Sequence, residues 1–173
     1  MNLESKSVRL RLVEEGDAEF IMSLRLNEKY NKYLSKVAPG IEAQKQWIRK
    51  YKLDEEKRKQ FYFLIERLDG TPCGTVRLYD LRDESFCWGS WILNENKTRF
   101  ASVESAFLVY QFGFDTLGYE KSHFEVMKGN DGVVKFHKRM GATQTGEDEL
   151  NFYFEITRPA VEQARADLAD KIA

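Results

Sequence analysis

The sequence predicts an α/β fold: a central mixed, mostly antiparallel twisted sheet with helices on both faces. Three observations carry this expectation. Three successive β-type segments with tight turns between them argue an antiparallel meander. After them, helical apolar spacing alternates with further strands, as strand–helix–strand–helix–strand, which asks for a mixed sheet covered by helices. The chain has 173 residues, 42% of them hydrophobic, which is enough for one core.

The elements follow in order. "SVRLRLV" (7–13) alternates Val8, Leu10 and Leu12 with Arg9 and Arg11, a strand with one buried face. "EEGD" is a turn, and Asp17 is placed to cap a helix carrying Phe20, Ile21 and Leu24. "VAPG" (37–40) is a loop by its Pro and Gly. "IEAQKQWIRKYK" (41–52) puts Trp47, Ile48 and Tyr51 on one helical face, and the charged "LDEEKRKQ" (53–60) is exposed. "FYFLIERL" (61–68), "TVRLYDL" (75–81) and "FCWGSWIL" (86–93) are the meander, with Asp69-Gly70 at the first turn. Val103, Ala106, Phe107, Tyr110, Phe114 and Leu117 mark a helix over 102–118, closed by Gly118. "KSHFEVMK" (121–128) is a strand. Asn130 caps a short helix with Val133, Phe136 and Met140 turned inward. "LNFYFEIT" (150–157) is the last strand, and a helix with Pro159 at its start closes the chain.

Charge and cysteine usage narrow the function classes. Lys and Arg number 27 against 28 Asp and Glu, so nothing marks a general nucleic-acid or membrane binder. Cys73 and Cys87 form no CxxC and no zinc-type spacing, so no metal site is expected and both thiols are expected reduced in a cytoplasmic protein. "MNLESKSVRL" lacks the apolar core of a signal peptide, and no apolar run approaches a membrane span.

The glycine-free stretch "NENKTRFASVESAF" (94–107) starts a helix directly after a strand. Its amides and the helix dipole face the carboxyl end of that strand, a place where anions bind. On the residues alone, Ser102 reads as a helix cap and Lys97 and Arg99 as solvated cations.

The element order, "FGFDTLGYEKSHFEVMKGNDGVVKFHKRMGA" (112–142) and "WGSWIL" (88–93) together resemble the GNAT superfamily of N-acetyltransferases, over nearly the whole chain. The resemblance implies a GNAT domain over 1–158, with the helix of 159–173 part of the same domain. It implies acetyl-CoA as co-substrate, held where two parallel strands splay apart. Pyrophosphate would rest on 97–102: Lys97, Thr98, Arg99, Phe100, Ala101 and Ser102. The family's glycine positions there are occupied by Phe100 and Ser102. Charge from Lys97 and Arg99 would partly replace what a glycine nest supplies. Asn130 would lie near the pantetheine, Phe136 and Lys138 would join the cofactor-binding residues, and the amides of Trp91, Ile92 and Leu93 are the oxyanion candidates.

Acetyl transfer to an amine needs a base for the ammonium and an acid for the departing thiolate. The family's thiolate acid aligns with His137, whose unperturbed pKa near ~6.5 suits proton donation at neutral pH. The alternative for His137 is a half-buried core role. The family's frequent base, a Glu on the fourth strand, falls at Cys87. A nucleophilic Cys87 is one reading and small-residue packing the other. His137 itself, Glu104, Glu84 and water remain as bases, and His123 is structural or lines the acceptor pocket.

By the same resemblance, Arg25, Asn27, Tyr30, Tyr33 and Trp47 form the acceptor wall, joined by Tyr79 and Trp88. The acceptor implied is a primary amine on a nucleotide-linked sugar, with Arg25 toward its diphosphate. A protein N-terminus of the ribosomal-protein type, a small polyamine, and a degenerate CoA-binding scaffold are the alternatives. The C-terminal helix has two available partners: its own domain, or a second subunit in a homodimer.

Overall fold

A computed structural model of the chain describes residues 2–33 and 40–169. The loop expected at 37–40 lies outside the described residues except for Gly40. Seven strands form one sheet: β1 (Val8–Leu12), β2 (Phe61–Arg67), β3 (Pro72–Tyr79), β4 (Ser85–Leu93), β5 (Lys121–Met127), β6 (Thr143–Glu147) and β7 (Asn151–Thr157). Their spatial order is β1-β2-β3-β4-β5-β7-β6. Only β4 and β5 are parallel, so the mixed and mostly antiparallel sheet is as expected.

Five helices cover it: α1 (Ala18–Arg25), α2 (Ile41–Glu56), α3 (Ala101–Gln111), α4 (Asp131–Arg139) and α5 (Arg158–Asp167). They divide between the two faces because β2 has an inside on both. Phe61, Phe63 and Ile65 join the core under α3 and α5, while Tyr62 and Leu64 join Ile21, Ile48 and Tyr51 of α1 and α2. That explains why "FYFLI" is apolar without alternation: both faces of this strand are covered. Gly113 closes α3 against the sheet, since a Cβ there would sit 2.2 Å from the Phe86 ring.

Several local expectations need correction. Asp17 occupies the cap position of α1, but its side chain makes no capping bond to it. Its carboxylate takes both ends of the Arg11 guanidinium at 2.9 and 2.8 Å and the Glu14 amide at 2.8 Å. The charged stretch after 52 continues α2 for another turn, to Glu56. Ser102 is inside the first turn of α3, with Phe100 at the cap position, and the helix passes into a π-helical turn over Phe112–Thr116. Asn130 does sit at the cap of α4, but its side chain makes no capping bond. The expected element order omits β6. All five of its residues are exposed and none is a large apolar side chain, so it has no alternation to read; it is a polar edge strand beside β7.

Candidate active site

The site begins where β4 and β5 part. They pair only over Ser85–Cys87 against Lys121–His123. Beyond that point they diverge, and β4 carries a bulge. Its register to β3 jumps from Arg77↔Gly89 to Thr75↔Ile92, so Ser90 and Trp91 together oppose Val76. Ser90 has φ of 49°, a left-handed backbone rare for a non-glycine residue and commonest where function demands it.

The gap forms a cavity of about 170 Å³. Trp88, Gly89, Ser90 and Trp91 of β4 line one side, Phe124 to Met127 of β5 the other, and Asn130, Val133 and His137 the end under α4. Tyr30 and Tyr33 border it from the segment after α1. The Tyr33 hydroxyl donates to the Gly129 carbonyl at 2.9 Å, and Tyr30 donates to the Glu95 carboxylate at 2.6 Å. This segment therefore spans the cavity mouth.

A second hollow lies on the other face of the sheet, lined by Tyr79, Asp80, Arg82, Cys87, His123 and Glu125 among others. Here His123 is fixed at both nitrogens: Nδ1 to the Ser85 hydroxyl at 2.6 Å and Nε2 to the Asp80 carboxylate at 2.9 Å. Gly89 lets the Tyr79 hydroxyl approach, since a Cβ would stand 3.0 Å from it. Phe124 and Glu125 line both hollows, so the two meet at that point of β5.

A strand pair splayed at a bulge and followed by a helix start is one arrangement seen in many proteins, and comparison identifies it here. The family model described as an acetyltransferase (GNAT) domain matches residues 7–143. The chain belongs to the GNAT family. Its members use acetyl-CoA, so the protein is an acetyl-CoA-dependent acetyltransferase. Among solved structures, apo FdhC, described as a nucleotide-linked sugar GNAT, is 52% identical over 98% of this chain and 97% of its own, with a TM-score of 0.91. The ribosomal-protein-S5-alanine acetyltransferase from Vibrio fischeri shares 15% identity over 91% of this chain and 96% of its own, at a TM-score of 0.77. Spermidine N-acetyltransferase from Vibrio cholerae, solved with CoA and spermine, shares 17% over 90% and 98%, at 0.76. No curated protein matches the chain significantly.

Within this GNAT frame the expected site residues separate into groups. Trp88, Trp91, Asn130, Tyr33 and His137 come together at the cleft. Trp88 faces the α3 side, its indole N–H donating to Tyr110 at 3.2 Å, so it floors the cleft and is not in the second hollow. The Trp91 indole N–H donates to Ser105 at 3.2 Å, and its ring packs on Phe136 at 5.1 Å, tying β4 to α3 and α4. Lys138 is exposed on α4 outside the cleft lining. In the loop before α3, the Thr98 hydroxyl meets Ser7 at 2.7 Å, and Ser7 donates its amide and hydroxyl to the buried Glu104 carboxylate. Lys97 and Arg99 are exposed and form no ion pair among the described residues; Arg99 lies over the Phe100 ring at 5.0 Å.

Other candidates stand apart. Trp47 stacks on Tyr51 and lines neither hollow. Asn27 is exposed and holds the Lys29 amide. Arg25 is buried beside Tyr62 and Arg77, and burial lowers its pKa. Glu104 is committed to Ser7, and Glu84 lies at a separate hollow with Tyr119 and Pro159.

Electrostatics alters two readings. His137 is 5% exposed, ringed by Phe124, Trp88 and Phe136, and its Nδ1 has no partner among the described residues. Burial drops its pKa to about 4, so it is a neutral imidazole at pH 7, not a group titrating near neutrality. Burial pushes the Cys87 thiol up to about 11, which keeps it protonated and a poor nucleophile. Sequence reasoning missed the Ser90 bulge and the position of Glu125. Both had a signal: Gly89 inside the strand for the bulge, and for Glu125 the alternation that puts it with His123 on one face of β5.

Proposed function

We infer that the enzyme acetylates the amino group of a nucleotide-linked amino sugar, by direct attack of the amine on acetyl-CoA in a ternary complex. The observation that carries this reading is the 52% identity to FdhC over 98% of the chain. The S5-alanine and spermidine enzymes share the fold at 15% and 17% identity, and neither favours a peptide or polyamine acceptor.

In this reading the pantetheine runs between β4 and β5, and amides of Trp91, Ile92 and Leu93, at and just past the bulge, receive the developing oxyanion. The amides starting α3, with Lys97 and Arg99, take the pyrophosphate. Neutral His137 at the cleft floor offers an N–H to the sulfur. The acceptor enters by the second hollow. Arg77, over the ring of Tyr79 that lines this hollow, suits its diphosphate, whereas buried Arg25 lines neither hollow.

Thiol release from acetyl-CoA, followed over amino-sugar nucleotides, polyamines and N-terminal peptides, tests the assignment. The amino-sugar nucleotides should give the highest kcat/KM. A polyamine or peptide that outruns them would overturn the acceptor.

A further inference from the structure

The position at which GNAT relatives often carry their base holds Cys87, and burial keeps that thiol protonated. Some other group must therefore take the ammonium proton. The geometry points to Glu125 on β5 as the general base for the acceptor amine, an inference that rests on the acetyltransferase reading above.

The argument is one of position. Catalysis needs a base where acceptor and acetyl group meet, and among the described residues only two line both the β4–β5 cleft and the second hollow: Phe124 and Glu125. Of these, only Glu125 ionises. Cys87 lies beside His123 in the parallel register, and Glu125 is two residues further along the same face of β5. Two strand residues advance about 6.6 Å, and neighbouring strands lie about 4.8 Å apart. A carboxylate missing from β4 is thus resupplied by the facing strand, just where the two strands separate.

Other candidates are committed or misplaced. His123 has both nitrogens bonded, and Asp80 is shared between His123 and Arg82. Glu104 holds Ser7, and Glu84 borders another hollow. His137 is enclosed by aromatic rings on the opposite face. Glu125 is exposed and forms no ion pair among the described residues, so its carboxylate is available to a cationic amine.

Three groups facing Glu125 do not compete for this proton near neutrality. Tyr79 of β3, Cys87 of β4 and Tyr153 of β7 all have raised pKa values. His123 neighbours Glu125 on β5, and Asp80, Arg82 and Glu155 add charge around the hollow. One ammonium proton passes to the Glu125 carboxylate and on to solvent. The freed lone pair forms the N–C bond at the thioester carbon. On collapse the C–S bond breaks with its electrons on sulfur, and the second nitrogen proton ends on the thiolate. The products are the amide and CoA thiol.

The test compares Glu125→Gln with the wild type on the best amine from the panel. The variant should keep its thermal stabilisation by acetyl-CoA and its acetyl-CoA KM, while kcat falls about 10²- to 10³-fold. The acidic limb of its kcat/KM profile should vanish, and acceptors of low basicity, already neutral at assay pH, should recover most of the loss. Unchanged kcat and pH profile would overturn the inference. So would an equal loss for amines of every basicity, which would make Glu125 a positioning residue. A wild type inert toward every amine while binding acetyl-CoA would instead overturn the amine-acceptor reading on which Glu125's role depends.

Discussion

The two histidines lie on opposite faces of one sheet and show what each face is built to do. His137, on the α3 side, meets Phe124 at 4.3 Å between ring centroids, with Trp88 and Phe136 around it, and has an unpartnered Nδ1. His123, one strand residue from Phe124, has Ser85 and Asp80 on its two nitrogens. The first face gathers aromatic rings into an apolar floor around the cleft. The second is polar, hydrogen-bonded and open, as an acceptor with charge would require. A residue type therefore says little here about role; the face of the strand decides it.

The sharpest way to break this contrast is to remove the residue that supports the apolar side. Phe124 is 4% exposed, stacked on Phe154 and against His137. Phe124→Ala should cost about 3–5 kcal/mol of stability, because the cavity has rigid walls from β4, β7 and α4. Urea unfolding would check it. A cost near 1 kcal/mol would mean that this floor collapses easily and is not a rigid template.

Much of this architecture is legible in the sequence because burial leaves a pattern. Val8 and Leu10 alternate inward, the meander has its turn residues, and α3 shows helical spacing from Val103. The elements that escape are those whose cause is not burial. β6 is polar throughout and exists because β7 offers an edge to pair with. The bulge at Ser90 is a backbone event whose one local sign is Gly89, a lone glycine inside the strand. His137 could be placed on α4, but its neutral state depends on rings from β4, β5 and β7 that only tertiary packing assembles. Glu125 follows from simple alternation, yet its importance comes from the divergence of β4 and β5, which no local pattern encodes.

A smaller effect comes from the proton chemistry of the apolar face. The imidazole of His137 titrates at 6.5 when unperturbed and at about 4 when folded. Between those values the unfolded chain binds more protons, so stability rises with pH across the window. As pH falls from 6.5 to about 4, this group alone should remove up to about 3 kcal/mol, with no further loss below. His137→Leu should flatten that part of the stability curve relative to the wild type, while carboxylate contributions remain in both. Parallel curves would show that His137 charges freely and that the face is wetter than its contacts imply.

The least costly change lies outside both faces, at the loop leading into α3. Lys97 and Arg99 are exposed, and their removal leaves the packed core and the Thr98–Ser7–Glu104 bonds in place. Stability of Lys97→Ala/Arg99→Ala should therefore stay close to wild type. If the loop holds pyrophosphate through helix-start amides assisted by these cations, acetyl-CoA affinity should fall about three- to tenfold at low salt. The difference should nearly close at high salt, where the Debye length shrinks to about 3 Å at 1 M and exposed charges no longer reach the ligand. Calorimetric titration at two ionic strengths separates the alternatives. Equal affinity at low salt would assign anion binding to the backbone alone and return both cations to solvent. A loss that persists at high salt would mean direct contact with the phosphates, a closer grip than a substitute for the absent loop glycines needs.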